Sequence, residues 1–301
     1  MRLIDREEVA RRLDHATCIA LVREAMIALA EGRSAQLLRG ILDLGSGDLF
    51  GVMPGALGAG FGAKLVSVFP GKPRSHQGVI AMFDRETGAP TAVIEGGEVT
   101  AIRTACASAA ATDALARRDA RTLAILGTGE QAWQHALAVP LVRPIEEIRI
   151  WGRDLARAEA LAARIGGHAR AAATAREAVA GADVVCTTTA AAEPILFSDD
   201  VADGTHLNVI GSSHAGPCEI DTALVARARF VPDHRAGVLA QGAEFLRARA
   251  EGLVGDDHVL PEIGAVYAGT APGRLGDRDV TIYKSLGSIV QDLACAQWLV
   301  R

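Results

Sequence analysis

The pattern of apolar and polar positions changes character three times along the chain. Residues 5–32 begin with acidic residues and continue with apolar residues at helical spacing, which predicts one or two amphipathic helices ending near Gly32. From about residue 37 to residue 95, short apolar runs alternate with Gly, Pro and Asp. This texture predicts a meander of short strands with a hairpin turn at DRETG, residues 84–88. Small residues at helical spacing then predict a helix over residues 99–117.

Strands and helices alternate from Arg121 onward. Strands are predicted in the runs TLAIL, EIRIW, ADVVCTTT, HLNVIG and RFVPD, and a helix follows each of the first two. This alternation is typical of βαβ units around a parallel sheet. Helical stretches are predicted near residues 235–251 and 257–268, and the run TIYKSLGSIVQDLACAQWLV predicts a short strand that enters a final apolar helix. The pattern therefore predicts an α/β protein.

Composition and charge exclude several classes of function. The 301 residues include 31 basic and 36 acidic ones, and the formal net charge of −5 provides no electrostatic footprint for nucleic acid or an anionic membrane. The chain begins with charged residues and contains no long uncharged apolar run, so we expect a cytoplasmic protein. Five scattered cysteines without zinc spacing predict neither a disulfide framework nor a metal site: Cys18, Cys106, Cys186, Cys218 and Cys295.

A glycine-rich loop predicts a dinucleotide site. Gly127 and Gly129 lie between the apolar strand TLAIL and a helix, with Ala132 at the third position of the motif. Tight glycine turns bring backbone N–H groups and a helix N-terminus against a pyrophosphate, and the βαβ context strengthens the motif. We therefore expect a nicotinamide dinucleotide to bind at this loop, on Gly127, Thr128, Gly129, Glu130 and Gln131.

The end of the second strand of this unit predicts which dinucleotide binds. NAD-binding proteins carry an acidic residue here, which accepts hydrogen bonds from the ribose 2′-hydroxyl. This chain has Arg153, whose guanidinium suits a 2′-phosphate, so we expect NADP(H) in preference to NAD(H). The alternative is that Arg153 is a solvated surface residue and that the neighbouring Asp154 serves the ribose.

Three cations lie in apolar surroundings in the first part of the chain. Lys64 in FGAKLVSVFP, Arg103 in EVTAIRTACASA and Arg39 in LLRGIL have apolar or small neighbours, and such side chains are seldom buried without a partner. We expect a ligand carboxylate as that partner, in a site with no acidic side chain to drive a deamination. The alternative is that each cation pairs with a protein carboxylate or reaches water. Spacing alone does not bring the three together.

Several long runs resemble the ornithine cyclodeaminase/mu-crystallin family. They are GAKLVSVFPGKP, GVIAMFDRETGAPTAVIEGGEVTAIRTACASAAAT, LGTGEQA and YKSLGSIVQDLA, in the family's order and spacing. The resemblance implies a Rossmann domain, at residues 115–276, inserted into an α+β substrate and dimerisation domain. The second domain comprises residues 1–114 and 277–301 and is completed by the C-terminal helix. The resemblance therefore implies a homodimer.

The resemblance also implies roles for the three cations and for the reaction. Residues matching Arg39, Lys64 and Arg103 hold the carboxylate of an amino or imino acid beside the nicotinamide, and we include Met53 among the substrate-binding residues. Cyclodeaminases carry a proton-handling aspartate where this chain has Ser213. A serine is no carboxylate base near neutral pH. The ketimine reductase type of the family is similar in having serine there and an arginine that matches Arg153.

We therefore expect NADPH-dependent reduction of a cyclic ketimine carboxylate, such as Δ1-pyrroline-2-carboxylate or Δ1-piperideine-2-carboxylate, to L-proline or L-pipecolate. The catalytic candidates are Lys64, Arg103 and Ser213. An ornithine cyclodeaminase or an alanine-type amino-acid dehydrogenase would use the same scaffold. A further alternative is a non-catalytic protein that binds NADP(H) or another small ligand, against which the three retained cations argue.

Two further segments contribute cofactor candidates. Thr187 and Thr188 end a predicted strand at the edge where ligands bind in open α/β sheets, so they either contact the cofactor or cap the next turn. The resemblance implies that Lys284 and Ser285 lie near the nicotinamide, and we include both among the cofactor-binding residues.

Three other polar positions have a structural and a functional interpretation. His214 either relays a proton or is a surface-loop histidine. Glu219 is expected to satisfy backbone groups, and the run DDH at residues 256–258 is expected to form a solvated loop or a helix cap rather than a metal site.

Overall fold

The computed structural model describes residues 1–70, 72 and 74–301. Gly71 and Pro73, which belong to the predicted run GAKLVSVFPGKP, lie outside the described residues. Short 3₁₀ helices cover Val139–Leu141, Ser198–Asp200 and Asp256–His258. The α-helices are α1 Arg6–Arg12, α2 His15–Ala30, α3 Gly96–Leu115, α4 Glu130–Ala138, α5 Leu155–Ile165, α6 Ala175–Val179, α7 Thr222–Arg227, α8 Arg235–Gln241, α9 Ala243–Ala250, α10 Ile263–Tyr267 and α11 Ile289–Leu299.

The described strands form two sheets, and the chain divides into two compact units. The first unit comprises Met1–Thr104 and Ser288–Arg301, and the second unit comprises Ala105–Gly287. The strands are β1 Arg2–Ile4, β2 Ser34–Gln36, β3 Gly40–Gly45, β4 Asp48–Leu57, β5 Gly60–Val68, β6 His76–Asp84, β7 Pro90–Glu95, β8 Thr122–Leu126, β9 Glu147–Trp151, β10 Ala169–Ala171, β11 Val184–Thr187, β12 His206–Val209, β13 Arg229–Pro232 and β14 Thr281–Lys284.

The first unit is built on a sheet with the strand order β1-β7-β6-β5-β4-β2, and β3 also pairs with β4. Strand β1 runs parallel to β7, and the meander from β4 to β7 is antiparallel, as predicted. The predicted turn joins β6 to β7, where the Asp84 carboxylate accepts a hydrogen bond from the Thr87 N–H. Helix α11 contacts α2 and strands β4, β5 and β6. The C-terminal helix thus completes the first unit.

The second unit contains a parallel sheet in the order β10-β9-β8-β11-β12-β14-β13. Strand β11 is buried over its whole length because alternate side chains enter different cores, Val184 one and Val185 the other. The strand order reverses between β8 and β11, which is the switch point where open α/β sheets bind ligands. The prediction of a Rossmann-type sheet is confirmed. Among the described residues, no helix combines the length and the apolar character that a membrane crossing requires.

The unit boundaries differ from the predicted domains of residues 1–114 with 277–301 and residues 115–276. The first boundary falls after Thr104, inside α3, a helix that continues to Leu115. The second falls after Gly287, because β14 pairs in parallel with β12 and β13 and so belongs to the second sheet. Strand β1 was not predicted either, since its three residues carry no periodicity that could reveal pairing with the distant β7.

Candidate functional site

In the first unit, the three predicted cations lie close enough for their charges to affect one another. Lys64 lies on β5, Arg103 lies on α3, and Arg39 lies directly before β3. The positive charges of Arg103 and Arg39 both lower the pKa of Lys64. Met53 is buried on β4, directly opposite Lys64 in the strand register. Sheet register and helix packing therefore produce the convergence that spacing along the chain could not show.

Asp292 on α11 lies between two of these cations. Its Oδ1 atom accepts hydrogen bonds from Lys64 Nζ at 3.0 Å and from Arg103 Nε at 3.3 Å, and no side chain of the three is more than 5% exposed. The site therefore contains an acidic side chain, which was not predicted from the sequence. A protein carboxylate does pair with Lys64 and Arg103, but one carboxylate serves two cations, so the pair keeps a net positive charge. We call Arg39, Lys64, Arg103 and Asp292 the cation cluster.

Two neutral side chains also contact the cluster. Thr100 Oγ1 accepts a hydrogen bond from Lys64 Nζ, and Gln291 Oε1 accepts one from Arg103 Nη1 at 3.1 Å. These two residues and Asp292 were not predicted from the sequence. A signal was present, since Asp292 is the one charged residue in the sequence of α11, and an acid in an apolar helix requires a buried partner.

Burial dominates the electrostatics of the cluster. Loss of solvation lowers the pKa of Lys64 to about 8, although the charge of Asp292 opposes this shift. Burial alone would raise the pKa of Asp292, but the charges of Arg103 and Lys64 outweigh it, and the pKa is lowered. The pKa of His76 is lowered by desolvation and then by the charges of Lys64 and Arg39. At neutral pH, Lys64 is therefore mostly charged, Asp292 is ionised and His76 is mostly neutral.

The predicted dinucleotide loop lies at the switch point of the second sheet. Gly127 has a φ of +136°, and a Cβ atom there would lie 2.4 Å from Thr188 Oγ1, so a side chain would collide. Gly129 is the N-cap of α4, and a Cβ atom there would point into open space. The described chain gives no packing reason for glycine at 129, whereas a pyrophosphate approaching the N–H groups of α4 would give one. This loop, with Thr128, Glu130 and Gln131, therefore fits a dinucleotide.

Arg153 is exposed next to this loop, two residues after β9. The preceding Gly152 lies against Thr128, because a Cβ atom at 152 would be 2.5 Å from the Thr128 methyl group. Asp154 accepts hydrogen bonds from the backbone N–H groups of the first turn of α5 and is the N-cap of that helix. The Asp154 carboxylate, which the alternative assigns to the ribose, thus caps helix α5. The exposed Arg153 guanidinium can reach a 2′-phosphate from solvent.

Lys284, predicted near the cofactor, is fully buried in an ion pair. Its Nζ atom lies 2.8 Å from Glu244 Oε2 and donates to the backbone oxygen and the hydroxyl of Ser212. Ser212 Oγ donates in turn to Glu244 Oε1 at 2.7 Å. Lys284 therefore fixes the residue directly before Ser213, and its assignment to the cofactor stays a prediction. Ser285 is also buried, and its hydroxyl donates to Asp233. Its assignment to the cofactor likewise stays a prediction.

A second buried carboxylate, Glu219, holds two strand ends together. It accepts hydrogen bonds from the Thr187 hydroxyl at 2.6 Å and from the backbone N–H groups of Thr189 and Gly211 at 2.7 Å each. The expectation that Glu219 satisfies backbone groups is confirmed. Thr187 donates to Glu219 in the interior, and its assignment to the cofactor stays a prediction. Thr188, beside Gly127, keeps that assignment as a prediction.

The remaining candidates lie in the second unit. Ser213 and His214 are half-buried in the segment after β12. Asp256 pairs with Arg249, and His258 Nε2 lies 2.7 Å from the Val225 carbonyl oxygen, so this run serves packing. Among the described residues, no group of His, Cys, Asp or Glu side chains could hold a metal ion.

Comparison with known proteins reveals relatives along the whole chain. The family model described as ornithine cyclodeaminase/mu-crystallin family matches residues 2–301. Ketimine reductase mu-crystallin from Mus musculus is 35% identical over 253 residues, which cover 82% of this chain and 78% of that protein. The structure of Thermococcus litoralis Δ1-pyrroline-2-carboxylate reductase in complex with NADH and L-proline has a TM-score of 0.95 at 30% identity, covering 100% and 96% of the two chains. An archaeal alanine dehydrogenase dimer with bound NAD has a TM-score of 0.94 at 28% identity, covering 100% and 95%.

Proposed function

This chain belongs to the ornithine cyclodeaminase/mu-crystallin family and is an NAD(P)-dependent oxidoreductase, and we propose that it reduces cyclic ketimine carboxylates with NADPH. The substrates are Δ1-pyrroline-2-carboxylate and Δ1-piperideine-2-carboxylate, and the products are L-proline and L-pipecolate. The observation that carries the proposal is the residual positive charge of Lys64 and Arg103, which share one carboxylate in buried surroundings. A small anionic head group is the ligand that this excess charge favours.

In this proposal the residues of the first unit hold the substrate. Lys64 and Arg103 bind the substrate carboxylate, and Arg39 adds positive charge beside them. Fixing the carboxylate also fixes the adjacent C=N carbon, and orientation of this kind removes part of the barrier to reaction. When bound, NADPH supplies the hydride that adds to this carbon. The substrate binds as the iminium, so the site needs no strong base.

The acid that the structure adds to the site does not make it a cyclodeaminase site. The pKa of Asp292 is lowered by Arg103 and Lys64 in spite of its burial, and a carboxylate with a lowered pKa is a weak base. The position that holds the proton-handling aspartate in cyclodeaminases is Ser213, which cannot replace it. Both features favour a single reduction step over the proton transfers of deamination and cyclisation.

The preference for NADPH over NADH is proposed from Arg153. Its guanidinium is exposed beside the glycine loop, and the nearest acidic alternative, Asp154, is engaged as a helix cap. A charge-assisted pair with a 2′-phosphate is available to NADPH alone. The two solved structures compared above contain NADH or NAD, so the preference rests on this chain's own residues. Measuring kcat/KM with both cofactors tests it, and a higher value with NADH contradicts it.

A homodimer is also part of the proposal. Every residue of β3 is exposed, and apolar side chains are concentrated there and just before it: Leu37 is 71% exposed, Leu42 60% and Leu44 51%. An exposed apolar strand is unfavourable in water, and a second copy of the chain would cover it. The archaeal alanine dehydrogenase is described as a dimer. Sedimentation velocity is expected to give the mass of two chains, and a monomer at micromolar concentration contradicts this.

The decisive test of the activity is an NADPH-consumption assay with purified protein. We expect turnover of the five- and six-membered cyclic imino acids and little turnover of pyruvate with ammonia or methylamine. L-Ornithine is included with an ammonia readout. Ammonia release from ornithine, or reductive amination of pyruvate that exceeds imine reduction, would replace the proposed reaction by one of its alternatives. Absence of turnover with NADPH binding intact would favour a ligand-binding protein.

A further inference from the structure

Asp292 is a buried charge in a helix that is otherwise uncharged. The helix α11 has the sequence IVQDLACAQWL, and Asp292 within it is 0% exposed. Burial of a carboxylate is unfavourable unless the group is paired and hydrogen-bonded. The proposed reaction requires cations at this site but no acid. The presence of Asp292 therefore needs a separate physical explanation.

Both cations contact the same oxygen atom of Asp292. Its Oδ1 accepts from Lys64 Nζ and from Arg103 Nε, while each cation has one further side-chain partner, Thr100 for Lys64 and Gln291 for Arg103. The Oδ2 atom has no hydrogen-bond partner within the described part of the chain. Within the described residues, the hydrogen bonds of the Asp292 carboxylate thus come from Lys64 and Arg103. Without a shared acceptor, two neighbouring positive charges would repel each other.

We propose that Asp292 is a positioning residue of the substrate site, which holds Lys64 and Arg103 side by side and keeps Lys64 protonated, so that both donors bind one substrate carboxylate. This inference deepens the proposed function and rests on it. Asp292 acts through Lys64 and Arg103 and has no contact with the substrate itself. The negative charge of Asp292 weakens the attraction of the site for an anion. The same charge keeps Lys64 protonated at neutral pH.

The charges around Lys64 explain why an acid is required. Burial lowers the pKa of Lys64 most, and Arg103 on α3 and Arg39 before β3 lower it further, while Asp292 on α11 raises it. His76 on β6 lies near the same charges, and its own pKa is lowered, so it is mostly neutral where Lys64 titrates. Among these groups Asp292 supplies the negative charge. Its removal should therefore shift the titration of Lys64 to lower pH.

The lysine content of the chain allows a direct measurement of this titration. The sequence has three lysines, Lys64, Lys72 and Lys284, so protein labelled with ¹³C at lysine Cε gives three NMR signals to follow against pH. Lys72→Arg identifies the exposed lysine, and Lys284 is distinguished by its paired, fully buried environment. We expect the Lys64 signal to titrate near pH 8 in the wild type and about one pH unit lower, or more, in Asp292→Asn.

Two further variants make this measurement specific. Cys295→Ala lies one turn further along the same helix and is equally buried, so it disturbs packing without removing the charge, and it should leave the Lys64 titration unchanged. Asp292→Glu keeps the carboxylate and should keep the titration near that of the wild type. If Asp292→Asn does not fold, the other two variants decide. A Lys64 titration that is unchanged in Cys295→Ala but displaced in Asp292→Glu then overturns the proposal. An unchanged Lys64 titration in folded Asp292→Asn overturns it as well, whatever the substrate of the enzyme.

Binding of pyrrole-2-carboxylate to the NADPH-loaded protein tests the consequence for the ligand. At pH 6 we expect Asp292→Asn to bind this planar ring carboxylate up to about tenfold more tightly than the wild type, because one opposing charge is gone. At pH 8.5 this gain should be lost, because a pKa of Lys64 that is about one unit lower leaves up to about tenfold less of the charged lysine than in the wild type. Equal weakening at both pH values indicates a merely structural residue and overturns the proposal. If even the wild type binds no ring carboxylate, the proposed function fails, and the NMR titration alone decides the role of Asp292.

Discussion

Two buried lysines, one in each unit, have different electrostatic surroundings. Lys284 in the second unit has Glu244 as its ion-pair partner and donates to two oxygen atoms of Ser212. Lys64 in the first unit shares the carboxylate of Asp292 with Arg103. The charge of Lys284 is balanced by a carboxylate of its own, whereas the pair of Lys64 and Arg103 retains positive charge.

This difference distinguishes a structural ion pair from a ligand site. Lys284 donates to two oxygen atoms of Ser212 and is paired with Glu244, so this lysine fixes the chain around Ser212. A cluster with excess charge is stabilised when an anion binds to it. Sequence resemblance assigned both lysines to the active site, and it is the balance of charge in the folded protein that separates them.

The largest expected effect tests the structural half of this comparison. Lys284→Met leaves Glu244 buried without its cation, so we expect the free energy of unfolding to fall by about 3–5 kcal/mol. Urea unfolding followed by circular dichroism measures this change. The double variant Lys284→Met with Glu244→Gln removes both charges and should recover most of the loss. If Lys284→Met is as stable as the wild type, Lys284 has no structural role, and its place near the cofactor would have to be reconsidered.

Arg103→Ala tests the functional half. We expect kcat/KM for Δ1-pyrroline-2-carboxylate to fall by at least about 100-fold, because a buried charged donor to the substrate carboxylate is lost. NADPH binding, measured by the change in its fluorescence, should be nearly unchanged, since the glycine loop lies in the other unit. Equal losses of imine reduction and NADPH binding would contradict the division of roles.

Arg153→Ala extends the comparison to an exposed cation. A charge-assisted hydrogen bond contributes about 1.5–3 kcal/mol, so kcat/KM with NADPH should fall by about 10- to 100-fold. The value with NADH should change little, because that cofactor lacks the 2′-phosphate. Steady-state kinetics with both cofactors measures the effect. A similar loss with NADH would show that Arg153 contributes to something other than the 2′-phosphate.

The pH dependence of the Michaelis constant is the smallest expected effect. The pKa of Lys64 is lowered to about 8, so the charged form that binds a carboxylate prevails below this pH and is lost as the pH rises through it. We expect the KM of the imino acid to rise by up to about tenfold per pH unit above 8, with kcat little affected. Lys64→Arg, whose guanidinium stays charged, should show a flat profile in the same range. A flat profile in the wild type would contradict the role of Lys64 in binding.

Much of the fold could be predicted because its signals are local. The hairpin at residues 84–88, the glycine loop at 127–129 and the alternation of strands and helices each depend on neighbouring residues. The boundaries of the units depend on pairing between distant segments. Strand β14 lies between β12 and β13 in the sheet, an order that no pattern along the chain specifies.

The site was predicted in part for the same reason. Lys64 and Arg103 stand out locally as cations in apolar surroundings, but Asp292 is 228 residues away from Lys64 and 189 from Arg103. Thr187 was assigned to the cofactor from its place at a strand end, yet its hydroxyl is directed to Glu219 in the interior. Side-chain direction and long-range pairing are set by packing, which a single sequence does not reveal.

The position of helix α11 at the end of the chain determines which unit is completed first during synthesis. The second unit is one continuous stretch of chain, whereas the first unit needs its final fourteen residues, Ser288–Arg301, before α11 can pack against β4 and β5. On a translating ribosome, the second unit is therefore synthesised in full before the helix α11 of the first unit is made. A message cut short before the codon for Asp292 would yield a polypeptide that contains the whole second unit but lacks the acid that contacts Lys64 and Arg103.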